Sequence, residues 1–210
     1  MSELSCCAAI NPPGDIRVGT VGTAIPGVQL RLADDGELLV RGPTVMRGYR
    51  NMPEQTAEAL AGGWMHTGDV ATIDDDGYVR IVDRKKELII NSAGKNMSPA
   101  NIEQTLKAAD GLIGQAVCIG DRRPYNVALL VLDPDVAAGR AADDPGVRDA
   151  VDAAVARANE QLARVEQIKR YVLLDAEWEP GGDELTPTMK LRRKPIGEKY
   201  AAQIEALYAG

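Results

Sequence analysis

The feature of the sequence that most constrains its fold is a change of hydrophobic periodicity near Asp83. Before this point, apolar and polar residues alternate over residues 28–32, which is the pattern of a half-buried strand. An Asp-Asp-Gly turn at residues 34–36 separates that segment from an apolar run at residues 37–41, and together they predict a hairpin. Another turn rich in aspartate precedes a predicted strand at residues 78–82.

Beyond Asp83 the spacing becomes that of helices mixed with strands. A helix is predicted to begin at Ser98, because serine is a favourable N-cap and proline follows at the first helical position. Apolar residues recur at helical spacing between positions 147 and 162, which predicts a long amphipathic helix. A strand is predicted at residues 168–174 and a C-terminal helix at residues 195–207.

These elements predict an α+β fold in two domains. Residues 1–83 are predicted to form a small β-rich subdomain, and residues 84–210 a small mixed α/β domain. Phenylalanine is absent and aromatic residues make up only 4% of the chain, so the core is predicted to be aliphatic.

Composition limits the class of protein. Acidic residues outnumber basic ones by 31 to 24, so nucleic-acid binding is not expected. The longest apolar run is far shorter than the roughly 20 residues of a membrane-spanning helix, and no transmembrane segment is predicted. Three cysteines, an odd number without metal-ligand spacing, favour a reducing, cytoplasmic setting.

Two segments carry residues suited to nucleotide chemistry. Asp69 follows a glycine, which suits a carboxylate presented on a tight turn before a strand, and one carboxylate can accept hydrogen bonds from two ribose hydroxyls. The alternative is a turn aspartate that caps backbone amides. Arg84 offers a fork of donors for a nucleotide, and Asp83 can pivot a hinge. The charged cluster around them is equally typical of a solvated linker.

A third segment presents Lys190 after the sequence Thr-Pro-Thr-Met, which predicts a rigid loop. A mobile ammonium group at a loop tip suits the neutralisation of charge on a transferring phosphoryl or adenylyl group. An exposed basic loop ahead of a helix is the alternative. The loop at residues 92–96, which contains Gly94, lacks the spacing of a Walker phosphate loop, so that class of ATP site is excluded.

The order and spacing of these segments closely resemble the adenylate-forming superfamily, which joins acyl-CoA synthetases, peptide-synthetase adenylation domains and luciferases. The motifs that carry the resemblance are residues 36–43, 46–49, 66–69, 77–87, 99–103 and 186–191. Residues 88–99 are most similar to the long-chain fatty acyl-CoA synthetases. The resemblance implies that residues 1–83 end a large N-terminal adenylation domain and that residues 84–210 form the mobile C-terminal AMP-binding domain.

For nucleotide binding, the resemblance implies the following roles. Asp69 matches the carboxylate that binds the ribose hydroxyls of ATP, and Arg84 matches the second ribose contact. Ser2 and Glu3 match the end of a Tyr-Gly-x-[Ser/Thr]-Glu motif, in which the hydroxyl residue contacts phosphate and the glutamate helps to hold Mg²⁺. Asp83 matches the hinge between the two domains.

For catalysis, the resemblance implies two half-reactions with a fatty acid, ATP, Mg²⁺ and CoA. The fatty-acid carboxylate attacks the α-phosphate of ATP, Lys190 bridges the two groups, and pyrophosphate leaves. The small domain then rotates about the hinge and brings the loop of Gly94 to the pantetheine channel, where the CoA thiol displaces AMP.

The chain also departs from the family pattern. It begins inside the Tyr-Gly-x-[Ser/Thr]-Glu motif and lacks the Ser/Thr/Gly-rich loop with proline–lysine that holds the ATP phosphates in this family. One hypothesis is the C-terminal part of a fatty-acid–CoA ligase, expected to be inactive alone and to associate with an N-terminal part. The other is a truncated, non-catalytic binding or interaction module. Residues 1–82 are expected to be poorly stable or prone to oligomerise.

Overall fold

The computed structural model describes residues 1–209 and separates them into two units. The first unit is Met1–Glu87, and the second begins at Leu88. Each unit contains hydrophobic clusters of its own. The α+β fold class is confirmed, with a β-rich first unit and a mixed second unit. That Asp83 marks the functional boundary between domains stays a prediction.

Antiparallel strands form most of the first unit. A short pair consists of β1 (Ala9–Ile10) and β2 (Thr23–Ala24). The main sheet has the order β3-β4-β5-β6, with β3 (Gln29–Leu32), β4 (Glu37–Arg41), β5 (Met65–Ile73) and β6 (Val79–Arg84). Helix α1 (Pro53–Ala59) and two short 3-10 helices, Ser2–Leu4 and Ala61–Gly63, complete the described elements of this unit.

The hairpin between β3 and β4 forms where the sequence predicts it. Gly36 adopts a left-handed φ of 82°, and Asp35 Oδ1 accepts the backbone N–H of Glu37 at 3.1 Å. Both features are typical of Asp-Gly turns. The β4 side chains Leu38 and Val40 then pack into an aliphatic cluster, as the absence of phenylalanine requires.

The second unit contains five strands and five helices among its described residues. The strands are β7 (Ile89–Ile90), β8 (Asn96–Met97), β9 (Ile113–Ile119), β10 (Asn126–Leu132) and β11 (Ile168–Leu174). The helices are α2 (Pro99–Ala109), α3 (Pro134–Ala137), α4 (Pro145–Gln161), α5 (Arg193–Lys199) and α6 (Ala201–Ala209). Strand β7 pairs with β8, and β10 lies between antiparallel β9 and parallel β11.

The central strand β10 is buried because both of its faces are covered. Ala128 and Leu130 belong to one hydrophobic cluster with residues of α2 and α4. Leu129 and Val131, which point the other way, belong to a second cluster that includes Ile196 of α5. This is the burial expected of a strand that pairs on both sides and carries helices on both faces.

The predicted start of α2 at Ser98 is confirmed, but the C-terminal helix is not continuous. Ser98 Oγ accepts the N–H of Asn101 at 3.0 Å at the start of α2, and proline occupies the first turn of α2, α3 and α4. The single helix predicted at residues 195–207 is wrong. Tyr200, with φ −104°, separates α5 from α6 and donates its hydroxyl hydrogen to Glu184. None of the helices within residues 1–209 is long and apolar enough to cross a membrane.

Candidate functional site

An irregularity in β5 positions Asp69. On β4, Glu37 pairs with Val70 and Leu39 pairs with His66, so a two-residue step on β4 faces a four-residue step on β5. The extra residues bulge from the ladder, as at a β-bulge. The prediction that Asp69 lies on a turn before a strand is therefore wrong, because the strand continues through it and the bulge redirects its side chain.

Side-chain oxygens bind the backbone amides of this bulge. Gly68, with a left-handed φ of 70°, donates its N–H to Glu37 Oε1 at 2.8 Å. Asp69 donates its N–H to Thr67 Oγ1 at 3.1 Å, and the Thr67 hydroxyl donates to the carbonyl of Leu38 at 2.7 Å. Buried backbone amides without a partner are costly, so these bonds stabilise the bulge that carries Asp69.

Asp69 and Arg84 lie opposite each other on adjacent strands. They are register partners between β5 and β6, and Arg84 Nε lies 2.8 Å from Asp69 Oδ1. Arg84 Nη1 also donates to the carbonyl of Thr67 at 3.3 Å. Burial raises the pKa of the Asp69 carboxyl above its usual range, although the positive charge of Arg84 acts in the opposite direction. The structure thus brings together two of the predicted nucleotide-binding residues.

Asp83 lies within β6 and is buried. Its Oδ1 accepts the backbone N–H of Arg84 at 2.6 Å. The predicted end of this strand at residue 82 is wrong. The strand continues through residues 83 and 84, which have Val70 and Asp69 of β5 as their register partners. The role of Asp83 as a hinge stays a prediction.

Ser2 and Glu3 lie in the first 3-10 helix. The Tyr49 hydroxyl donates to Glu3 Oε1 at 3.2 Å, and the Met46 N–H donates to the Glu3 carbonyl at 2.7 Å. Within residues 1–209, no three or more His, Cys, Asp or Glu side chains cluster as a metal site.

A cavity of about 860 Å³ opens beside the bulge. Arg84 lines it, together with Glu37, His66, Thr67 and Lys85. Asp69 is not among the lining residues, but its ion pair with Arg84 connects it to this wall. The volume is within the range of small-molecule sites, about 300–1,000 Å³.

Sequence reasoning missed the role of Glu37. Its side chain is only 6% exposed, and Oε2 lies 3.0 Å from Lys85 Nζ and 3.2 Å from His66 Nδ1. Burial acts to raise the pKa of Glu37, but hydrogen bonds from Gly68, His66 and Lys85 outweigh it and leave the pKa below its usual range. One sequence signal could have indicated Glu37: it is a glutamate at the start of an otherwise apolar strand, and a buried carboxylate needs hydrogen-bonding or charged partners.

In the second unit, Lys190 ends a closed turn. The Thr186 N–H donates to the carbonyl of Lys190 at 2.8 Å, and the Lys190 N–H donates to Thr186 Oγ1 at 3.0 Å. Met189, with φ 63°, makes the left-handed step that closes the turn. The backbone of Lys190 is therefore fixed while its side chain remains exposed, as the rigid-loop prediction requires.

Two buried glutamates support this turn: Glu103, which lies in the motif at residues 99–103, and Glu184, which was not singled out from the sequence. Glu103 of α2 accepts both Nη groups of Arg193 at 2.6 and 2.9 Å, so the start of α5 is tied to α2. Glu184 accepts Lys199 Nζ at 2.6 Å, and its backbone carbonyl accepts the N–H of Arg192 at 2.7 Å. Both bonds fix the chain on either side of the lysine turn.

Gly94 lies in the hairpin between β7 and β8, with a left-handed φ of 73°. Its N–H donates to the carbonyl of Asn91 at 2.9 Å, and a Cβ at this position would meet no atom within 4 Å. The backbone conformation therefore requires glycine here, whereas crowding does not.

Asp69→Asn is expected to stabilise the first unit near neutral pH. A raised carboxyl pKa means that the folded state holds the proton more tightly than the unfolded chain, so ionised Asp69 opposes folding above its folded-state pKa. The advantage of the variant should shrink as pH falls through that pKa. Hydrogen exchange of the β4–β6 amides, measured from about pH 4 to about pH 7, tests this sign. Asp75→Asn, in an exposed turn, is the control. Loss of protection in Asp69→Asn near pH 7 would contradict the prediction.

Comparison with known families gives a match over the whole of the second unit. The family model described as the AMP-binding enzyme C-terminal domain matches residues 86–210. A Mycobacterium tuberculosis protein named as a fatty-acid–CoA ligase, fadD11, is 58% identical over 100% of this chain and 39% of its own length. The long-chain-fatty-acid–CoA ligase FadD15 of Mycobacterium bovis is 42% identical over 99% of this chain and 37% of its own length.

A solved structure shares the fold. The O-succinylbenzoate coenzyme A synthetase MenE of Bacillus subtilis, in complex with ATP and magnesium ion, aligns with a TM-score of 0.68 and 24% identity. The alignment covers 92% of this chain and 39% of that one. The chain thus spans about two fifths of the length of these relatives.

Proposed function

The chain belongs to the AMP-binding enzymes, whose C-terminal domain it carries, and from this premise we propose that it is the C-terminal part of a fatty-acid–CoA ligase. The complete enzyme would join a fatty acid to CoA at the expense of ATP. The observation that carries the proposal is the Asp69–Arg84 pair, held on adjacent strands beside a cavity of about 860 Å³.

In the first half-reaction, a carboxylate oxygen of the fatty acid attacks the α-phosphorus of ATP. The bond to the β-phosphate breaks, and acyl-AMP and pyrophosphate form. Asp69 accepts hydrogen bonds from the ribose hydroxyls, and Arg84 supplies the second ribose contact. Lys190 supports the proposal by its exposed ammonium group on a fixed turn, which suits the bridging of the substrate carboxylate and the α-phosphate.

In the second half-reaction, the sulfur of CoA attacks the acyl carbon and the thiol proton is lost. The bond to AMP breaks, and acyl-CoA and AMP leave. The left-handed turn of Gly94 supports a role for this loop in the approach to the pantetheine arm. Asp83 is proposed to change conformation between the two half-reactions, as a hinge.

The magnesium ion would be held by Glu3, with Ser2 contacting phosphate. A single carboxylate fits this ion, because Mg²⁺ is commonly bound by one or two carboxylates together with substrate phosphates. Mg²⁺ would neutralise phosphate charge when bound.

The three thiols among the described residues are free, which favours the cytoplasm as the setting.

A chimeric ligase tests this function. In it, residues 1–210 replace the matching region of fadD11, and acyl-CoA formation is measured with MgATP, CoA and a series of fatty acids. We expect turnover from the chimera and none from the 210-residue chain alone, with activity restored when a separately produced N-terminal part of fadD11 is added.

Other outcomes would contradict the proposal. A folded chimera without turnover would favour a non-catalytic module, and turnover by the chain alone would show that the absent phosphate loop is dispensable. Within an active chimera, Asp69→Asn should raise the KM for ATP by roughly tenfold or more, because a bond to a charged acceptor is lost. Asp75→Asn provides a matched carboxylate in an exposed turn and should leave that KM unchanged.

A further inference from the structure

We propose that Glu37 is a positioning residue of the nucleotide site, because its buried carboxylate ties the chain neighbour of Asp69 to the chain neighbour of Arg84. The neighbours are Gly68 on β5 and Lys85 at the end of β6. This inference rests on the proposed function and adds a residue that does not itself contact the nucleotide.

On the β5 side, Glu37 replaces a strand partner. The bulge moves Gly68 out of register with β4, and its N–H bonds instead to Glu37 Oε1 at 2.8 Å. The next residue is Asp69, whose own N–H is held by Thr67. The direction of the Asp69 carboxylate therefore depends on a bond that Glu37 makes.

On the β6 side, Glu37 holds the residue after Arg84. Lys85 Nζ lies 3.0 Å from Glu37 Oε2, and the Lys85 N–H donates to the carbonyl of Gly68 at 2.8 Å. Lys85 Nζ also lies 2.6 Å from Asp35 Oδ2, on the exposed side. Both ends of the Asp69–Arg84 pair are thus tied to the Glu37 carboxylate through one residue each.

The negative charge of Glu37 is needed for its bond to Lys85, whereas its bond to the Gly68 N–H in the bulge needs only an oxygen. A neutral amide oxygen would satisfy the N–H of Gly68 equally well, and a buried carboxylate carries a large desolvation cost. The ionised form is required by Lys85, which is the contact that reaches the Arg84 side of the site. Glu37→Gln therefore keeps an acceptor for the Gly68 N–H and removes the ionic bond to Lys85.

The test is an AMP titration of the chimeric ligase described above, followed by isothermal titration calorimetry. Glu37→Gln and Lys85→Met should each weaken AMP binding by about tenfold, since each removes a charge-assisted bond. The double variant should be no weaker than either single variant, because both changes remove the same contact. Asp35→Asn keeps a side-chain oxygen for the Glu37 N–H, removes the exposed negative charge beside Lys85, and should stay within about twofold of wild type.

The outcomes are distinguishable. Tenfold losses that are not additive, with unchanged hydrogen-exchange protection in β4–β6, would support positioning. Wild-type affinity in Glu37→Gln would overturn it and leave the proposed function standing. Losses that add in the double variant, or that accompany lost protection, would overturn it in favour of a structural role. Absence of AMP binding by a folded chimera that carries the wild-type residues 1–210 would overturn the nucleotide site itself and this inference with it.

Discussion

Lys190→Ala is expected to slow acyl-AMP formation by the chimeric ligase by about 10²–10³-fold, which is the usual effect of removing one group that stabilises developing charge. The ammonium group stands on a turn whose backbone is closed by Thr186, and the side chain is exposed. Truncation should therefore remove charge stabilisation and leave the fold intact. Exchange of pyrophosphate into ATP measures this half-reaction.

The second half-reaction separates this role from general damage. Conversion of added acyl-AMP to acyl-CoA should proceed at nearly the wild-type rate in Lys190→Ala, because the proposed role of the lysine is in adenylation only. Lys194→Ala is the matched control. Lys194 is an exposed lysine of α5, and its Nζ lies 4.0 Å from Glu198 Oε1. Equal losses in both half-reactions, or equal effects of the two lysine variants, would refute the assignment.

Glu103→Ala is expected to destabilise the second unit by about 3 kcal/mol, the lower end for removal of one partner from a buried ion pair. Glu103 accepts both Nη groups of Arg193 and the backbone N–H of Cys118 at 2.8 Å. The variant leaves a largely buried guanidinium and a buried amide without their acceptor. Urea unfolding, followed by Trp178 fluorescence in a Trp64→Phe background, measures the change in free energy.

Two further variants examine the cause of that loss. Glu198→Ala changes an exposed glutamate and should alter the free energy of unfolding by no more than about 0.5 kcal/mol. Glu103→Leu combined with Arg193→Met should recover part of the stability, because the guanidinium charge that faced Glu103 is removed as well. If the double variant lost as much free energy of unfolding as Glu103→Ala and Arg193→Met lose in sum, loss of the ion pair would not be the cause of the destabilisation.

Local sequence signals predicted most elements of the fold. The Asp-Gly turn before β4 and the Ser98–proline start of α2 form as expected, since each depends on contacts within a few residues. The break at Tyr200 was not predictable in this way. It accompanies bonds from the Tyr200 hydroxyl to Glu184 and from Trp178 to that hydroxyl, which join residues distant in sequence.

The sequence was sufficient to predict which residues form the candidate site, but it did not predict how they are arranged in space. Sequence spacing selected Asp69 and Arg84, and the structure makes them partners across two strands. The sequence did not reveal the bulge, because a bulge depends on the register between strands, and the periodicity of a single strand does not encode that register. Glu37 was missed for the same reason, since its partners come from β5 and from the end of β6.

The parallel pairing of β10 with β11 also orders events during synthesis on the ribosome. Strands β9 and β10 are close in sequence and can pair early, whereas β11 must await α4, and the face that carries Leu129 is covered only when α5 follows. The segment with Lys190 lies between β11 and α5, so its turn is anchored last. A nascent chain would therefore bury this apolar surface and fix the turn of Lys190 in the same late step.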